Sequence, residues 1–523
     1  MRRIRLYWNT IRFLRFQQIV YQIMHRLRSK PVLSIPARIP PVYFLAVPAP
    51  DKPQSVRGQY FIFLNRTVHF PDVVDWEYDG FGKLWQYNLN YFDFLNQPAM
   101  SRESGMDLIH QFIRRTDRIT AGLDPYPTSL RLINWVRFLS RHRVNDPSVH
   151  AHLRGQIDLL KNRLEYHLLG NHLLENALAL FVGALYFRDR RIYKPAVRLL
   201  KKQLDEQILA DGGHEERSPM YHGILLDRLL DVCLMVPEGG PFTEASVRDF
   251  LYRKAGRMLA WMEAVTFRNG EWPPVNDAAG GIAPTTGQIR VKAVSAGIAT
   301  VEHPLSDSGY RMFRTPFLEV FMDVGPVGPA HQPGHAHADT FSFILYAGNQ
   351  PLIVDAGTST YDPGDRRQWE RSTAAHNTVQ VAGADSSEVW GSFRVAGRAK
   401  VTLLEDTSCR LAARHDGYRR YGIDHERSWH LPDSRTLVIS DRLVGRPGVP
   451  GVARLHFHPA VKVTKNDRGL TAGPLQITGM NVSMEQVSVG SYDYAESFHR
   501  LRPAFRVEIS FTDLLIMTIT VPE

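Results

Sequence analysis

His335, His337 and Asp339 occupy alternate positions in the run His335-Ala336-His337-Ala338-Asp339-Thr340-Phe341-Ser342-Phe343, an otherwise apolar segment of β-type composition. In an extended strand, residues two apart share a face, so the two imidazoles and the carboxylate are expected to project side by side. Asp355 interrupts a second apolar run, Leu352-Ile353-Val354-Asp355-Ala356-Gly357, and His376 follows in Ala374-Ala375-His376-Asn377-Thr378. Imidazoles and carboxylates gathered in this way serve either as metal ligands or as proton carriers.

A second constellation lies earlier in the chain. Gly170-Asn171-His172-Leu173-Leu174-Glu175-Asn176 opens a strongly apolar helical stretch. Asn171 there has two readings, a helix N-cap or a functional carboxamide. In Glu215-Glu216-Arg217-Ser218-Pro219-Met220-Tyr221-His222 the Ser-Pro pair is a helix start, which puts Tyr221 and His222 in the first turn. A carboxamide, a phenol and imidazoles form the set that β-elimination from a uronic acid requires. The C5 proton of a uronate is poorly acidic until donors offset the adjacent carboxylate charge, a task for Asn171 and His172. A phenol such as Tyr221 can then move a proton between C5 and the leaving oxygen, with a histidine assisting.

The elements that must position these groups change character along the chain. From about 80 to 300 apolar residues recur at helical spacing, as in Leu130 to Leu139 and Leu173 to Phe187, between turns such as Asp124-Pro125-Tyr126-Pro127 and Asp211-Gly212-Gly213. After about 305 short β-branched and aromatic runs take over, for example Phe317 to Val324, Phe341 to Tyr346, Thr436 to Ser440 and Ala504 to Phe511. A helical domain followed by an antiparallel sandwich is expected, with a cleft between them for a ligand. At 523 residues the chain has room for several domains, and 44% apolar with 22% charged residues excludes wholesale disorder.

These ordered segments resemble the heparinase II/III-like polysaccharide lyases. The resemblance implies an α+β multidomain chain. A basic segment over 1–80 leads into an incomplete (α/α) toroid over 81–304, and an antiparallel β-sandwich follows over 305–523. It implies that Asn171 and His172 neutralise the uronate carboxylate, that Tyr221 is the general acid/base and His335 a second catalytic group, with Glu175 close behind. It also implies a divalent metal, commonly a structural zinc, at His337, Asp355 and His376, which leaves Asp339 to orient one of the imidazoles. Relatives carry a further active-site tyrosine between the last two ligands. Tyr361 is the candidate here, with Trp369 as its rival, and Arg366, Arg367 and Arg371 are candidates either for substrate anions or for a solvated loop.

The net charge of +10 makes a polyanion a plausible partner, and an acidic, uronate-containing polysaccharide is the expected one. Nucleic acid is not expected, since no recognition motif accompanies the charge. Cys233 and Cys409 form no framework or Cys-x-x-Cys pair. The basic, aromatic N-terminus is interrupted by Arg12, Arg15, Gln17 and Gln18 and does not read as a signal peptide, so a cytoplasmic or inner-membrane-associated location is expected, with the periplasm open. The first thirty residues fit either an anionic membrane face or a helix packed on the domain. Trp85-Gln86-Tyr87-Asn88-Leu89-Asn90-Tyr91-Phe92-Asp93 further resembles heparinase-like proteins of bacterial capsule or exopolysaccharide production. Two other outcomes stay open: C5 epimerisation, and a non-catalytic polysaccharide-binding role in an exopolysaccharide assembly system.

Overall fold

A computed structural model describes residues 2–240 and 242–522. Two short helices, Arg2–Ile11 and Phe16–Leu27, precede an extended stretch. An antiparallel three-stranded sheet follows, built from Val56–Arg57, Tyr60–Phe63 and Arg66–His69. The helical pattern of the sequence does not foreshadow this small sheet. Its inward residues Phe61 and Phe63 join the core of the helical domain.

That domain runs from the helix Gly82–Tyr91 to the helix Thr286–Ser295. Its helices start where capping chemistry directs. Asp146 accepts the Ser148 and Val149 amides before Pro147–Lys161, Asp189 accepts the Arg191 amide before Arg190–Gln207, and Ser218 accepts the Tyr221 amide before Pro219–Met235. Helix Gly170–Phe187 is apolar almost all round and is correspondingly buried along nearly its whole length, packed on Pro125–Arg141, Arg190–Gln207 and Pro219–Met235.

From Tyr310 onward the elements are antiparallel strands, apart from the short helix Asp365–Glu370 and brief 3-10 turns. Tyr310–Arg314, Leu318–Asp323, Phe343–Ala347 and Gln350–Ile353 form a four-stranded meander. Beyond it an eight-stranded sheet and a second four-stranded sheet enclose a shared core that includes Trp429, Leu437, Ile439, Leu455, Val507 and Met517. In Ile423–His430 burial alternates strictly, the signature of a strand with one face in the core.

The two halves meet through aromatic packing. Trp261, Val265, Phe267 and Val275 from the helical side join Tyr310, Phe321, Ile344 and Tyr346 in one cluster, with Phe267 stacked on Tyr346 at 3.8 Å between centroids. Polar ties reinforce the seam. Asp211 accepts from the Ser306 and Ser308 amides at 3.0 and 2.9 Å, and Arg217 donates to the Ser308 carbonyl at 3.0 Å.

Candidate active site

The run from His335 to Ser342 is a loop, and the strand begins only at Phe343. The expectation of a shared strand face is therefore corrected. A single carboxylate brings the two histidines together instead. Asp277 accepts from His335 Nδ1 at 2.9 Å through one oxygen and from His337 Nε2 at 2.9 Å through the other. Arg367 closes the group with a bidentate pair to both oxygens, at 2.5 and 2.7 Å. Burial alone would raise the Asp277 carboxyl, but Arg367 and the two imidazoles hold it well below the usual range.

Asp277 is carried by a bend that only a few residue types accept. Asn276 sits at φ 57°, a left-handed conformation that asparagine tolerates better than most residues. Its side chain donates to the Arg217 carbonyl at 3.0 Å and accepts the His337 amide at 2.9 Å, so one residue joins three segments. The sequence marks this loop by Trp272-Pro273-Pro274 before Asn276-Asp277 but gives no sign of which way it faces.

Tyr221 lies over His335, with ring centroids 4.0 Å apart, and its hydroxyl is 3.2 Å from that of Tyr361. Of the two candidates, Tyr361 is thus the one that reaches Tyr221. Trp369 packs near His456 and Tyr492 instead. Burial first, then Tyr361 and the carboxylates of Asp277 and Glu216, push the Tyr221 phenol well above its ordinary value, so it is held protonated. His335 Nδ1 faces Asp277, and its Nε2 lies 3.7 Å from a Glu216 oxygen.

Glu216, like Asp277, is a site residue to which sequence reading gave no role. The Asn171 amide N–H donates to it at 2.8 Å, and Asn171 Nδ2 donates to both of its oxygens at 3.0 and 2.8 Å. Asn171 is therefore not an N-cap, since the helix starts at Gly170 after Leu169. Its side-chain nitrogen is engaged by Glu216, while its side-chain oxygen is buried without a partner. The nitrogen is so engaged because a buried carboxylate takes up every donor within reach. Gly170, at φ +52°, is required here because a Cβ would collide with the Glu216 carboxylate. His172 is the more accessible neighbour. Its Nδ1 donates to Glu165 Oε1 at 3.0 Å, its ring lies against Tyr126, and Glu165 outweighs burial to raise its ionisation.

Other expected groups lie behind the cleft. Glu175 is fully buried, 3.5 Å from Arg228, and burial raises its carboxyl despite that cation. Arg371, a candidate for binding substrate anions, is also fully buried. It donates to the carbonyls of Gly391, Ala336 and Arg394, so it fastens the loop that carries His335 and His337. Arg366 pairs with Glu370 at 2.7 Å. Arg367 and Arg371 are thus buried and bonded within the protein, not part of a solvated loop, while Arg366 remains partly exposed beside Glu370.

His337, Asp355 and His376 are brought to one buried region. His376 Nδ1 donates to Asp355 Oδ2 at 2.7 Å, and the His337 and His376 rings are 5.3 Å apart. His337 Nδ1, His376 Nε2 and Asp339 Oδ2 are buried without partners. Two imidazoles, each anchored through one nitrogen to a carboxylate and each with the other nitrogen bare, suit a divalent cation. These donors do not converge on one point. Among the described residues, the group whose donors do is Asp51, Asp227 and Asp231, and there the Lys292 ammonium lies against all three. Asp339 makes no hydrogen bond to either imidazole and acts on His376 through its charge. Burial, with Asp355 nearby, pushes its carboxyl up to about 6.

A helical half and an antiparallel β half thus share one seam, and a phenol pair, an imidazole and fixed carboxylates line it, which defines a two-part protein with acid/base groups at the domain junction. The family model for the heparinase II/III N-terminus matches residues 131–283, and that for the heparinase II/III-like C-terminal region matches 300–514. Matched in order by both halves of one family, the chain belongs to the heparinase II/III-like family. It is 22% identical to a heparin-sulfate lyase of Bacteroides stercoris over 354 residues, 61% of this chain and 50% of that one. It is 27% identical to FtsZ-localized protein C of Caulobacter vibrioides over 300 residues, 51% and 49% of the two chains. The matches thus span about half the length of these curated relatives. The crystal structure of a heparinase III aligns over 97% of this chain and 90% of its own, with a TM-score of 0.68 at 15% identity, which supports the fold.

Proposed function

We propose that this chain is a polysaccharide lyase that cleaves a uronate-containing acidic polysaccharide by β-elimination. The observation that carries the reading is the contiguous set Tyr361, Tyr221, His335 and Glu216, with Asp277 fixing the histidine. Binding alone needs no phenol packed against an imidazole held by a buried carboxylate. In this scheme His335 takes the C5 proton at Nε2, its Nδ1–H being pinned by Asp277. The C5 electron pair forms the C4–C5 double bond as the C4–O bond breaks, and Tyr221 delivers its proton to the departing oxygen. A phenol held protonated at neutral pH suits that delivery. His172, raised by Glu165 and only partly buried, offsets the substrate carboxylate, while Asn171 acts through Glu216.

The same reading assigns the bare nitrogens of His337 and His376, with Asp355, to a divalent cation of zinc type, whose binding would have to draw these separated donors together. When bound it would supply structural charge compensation for the Asp355 carboxylate. A self-made capsule or exopolysaccharide is the polymer class we favour, on the strength of the Trp85 to Asp93 segment.

The test is a panel of acidic polysaccharides, heparan sulfate and unsulfated polyuronates included, followed by the ultraviolet absorbance of the unsaturated uronate. Tyr221→Phe is expected to abolish the signal while polymer binding persists. Deuterium entering C5 from solvent without chain shortening would reassign the site to epimerisation. Binding by wild type and variant alike, with turnover by neither, would leave a non-catalytic binding role.

A further inference from the structure

The first 50 residues contain nine Lys or Arg and no Asp or Glu, against a net charge of +10 for the entire chain. Their two helices rest on the body through mostly polar contacts. Gln18 donates to Gln332 at 2.9 Å, Arg15 pairs with Glu206, and Arg5 pairs with Glu388 at 2.9 Å. Tyr21 and His25 lie against Tyr166 and His167.

The face left outward is the apolar one. Ile4 and Trp8 are one turn apart on the first helix, and Phe16, Ile19, Ile23 and Leu27 form a stripe at three- to four-residue spacing on the second. Trp8 is 66% exposed, Phe16 82% and Leu27 81%. A helix packed only for its own domain points such a stripe inward. About half of the exposed large apolar side chains among the described residues fall within residues 4–35, so the patch is concentrated rather than scattered.

We infer that this face docks on an anionic phospholipid bilayer, with the two helices lying in the plane of the headgroups. Apolar side chains would enter the acyl boundary while the basic residues meet lipid phosphates. Charge selects the occupant. A second copy would bring one uniformly basic segment against another, whereas an anionic surface complements it. No helix among the described residues is long and apolar enough to cross a membrane, so a surface-lying mode is the one these helices can adopt. The surface also adjoins the cleft. Tyr7 packs on Trp390 in the hairpin Glu388–Trp390 and Arg394–Ala396, whose tip carries Phe393, 5.9 Å from His335.

The experiment is sedimentation of the full chain with vesicles of phosphatidylcholine alone or with about one third phosphatidylglycerol. Binding to the anionic vesicles is expected to exceed that to neutral ones by about tenfold or more and to weaken with salt. Phe16→Glu with Ile23→Glu, both at exposed positions, is expected to reduce it about tenfold with an unchanged thermal melt. Failure to bind anionic vesicles overturns the inference, as does equal binding by the double variant, which would reduce the effect to charge alone. A wild-type dimer that the double variant dissociates, without vesicle binding, would assign the face to a second copy. None of these outcomes depends on whether the cleft is a lyase site.

Discussion

At the scale of single residues, the site is governed by where each carboxylate finds its donors. Glu216 receives three hydrogen bonds from Asn171, and burial would raise its carboxyl were it not for His214, His335 and those donors, which together lower it. Asn171→Ala removes two of the three while leaving the backbone donor. It is expected to destabilise the fold by about 2–3 kcal/mol, because the carboxylate stays buried. Urea unfolding of the two proteins measures this, and an unchanged midpoint would refute the coupling. The identity of Asn171 was legible in the sequence; its partner was not, since Glu216 lies 45 positions away.

At the scale of elements, the loops at the domain seam are held by buried ion pairs rather than by strand pairing. Asp277 is the common acceptor for Arg367, His335 and His337. Asp277→Asn leaves the Arg367 guanidinium buried without its counter-charge, and a loss of about 3–5 kcal/mol is expected. A double-mutant cycle with Arg367→Met checks the mechanism, for the second change should recover part of the loss. The helix containing Arg367 was read from sequence as a substrate-facing or solvated loop. Its actual role follows from Asp277, 90 positions earlier, which periodicity cannot see.

At the scale of the whole molecule, several buried pairs couple stability to pH. Burial raises Asp441, but Arg427 and His425 bring it down to about 2. A carboxyl depressed on folding contributes its stability fully above the unfolded value of about 3.9 and loses it as pH falls toward the folded one. Asp277 is depressed in the same sense, and Asp51 reaches about 2 through Arg137, Lys52 and Lys292 against the effect of burial. Denaturant midpoints should therefore fall between about pH 4 and pH 2. Asp441→Asn should be less stable at pH 7 and should respond less over that window. The proposed zinc assignment has its own test: a chelator is expected to lower the melting temperature, zinc to restore it, and His376→Ala to be indifferent to both.

The sequence by itself determined the order of the two halves, because helical and strand periodicities are local and each is written in consecutive residues. It also determined which residue types could do chemistry, since Asn171, Tyr221, His335 and the histidine pair lie in short recognisable runs. Only the tertiary structure decided what those groups face. His335 and His337 meet across Asp277 from a loop, not along a strand; Asn171 is turned to Glu216; Arg371 fastens backbone carbonyls; and Tyr361, not Trp369, reaches Tyr221. In a buried seam each charge must find a counter-charge or a donor, and which one lies within reach is set by how distant segments pack, information that no single segment contains.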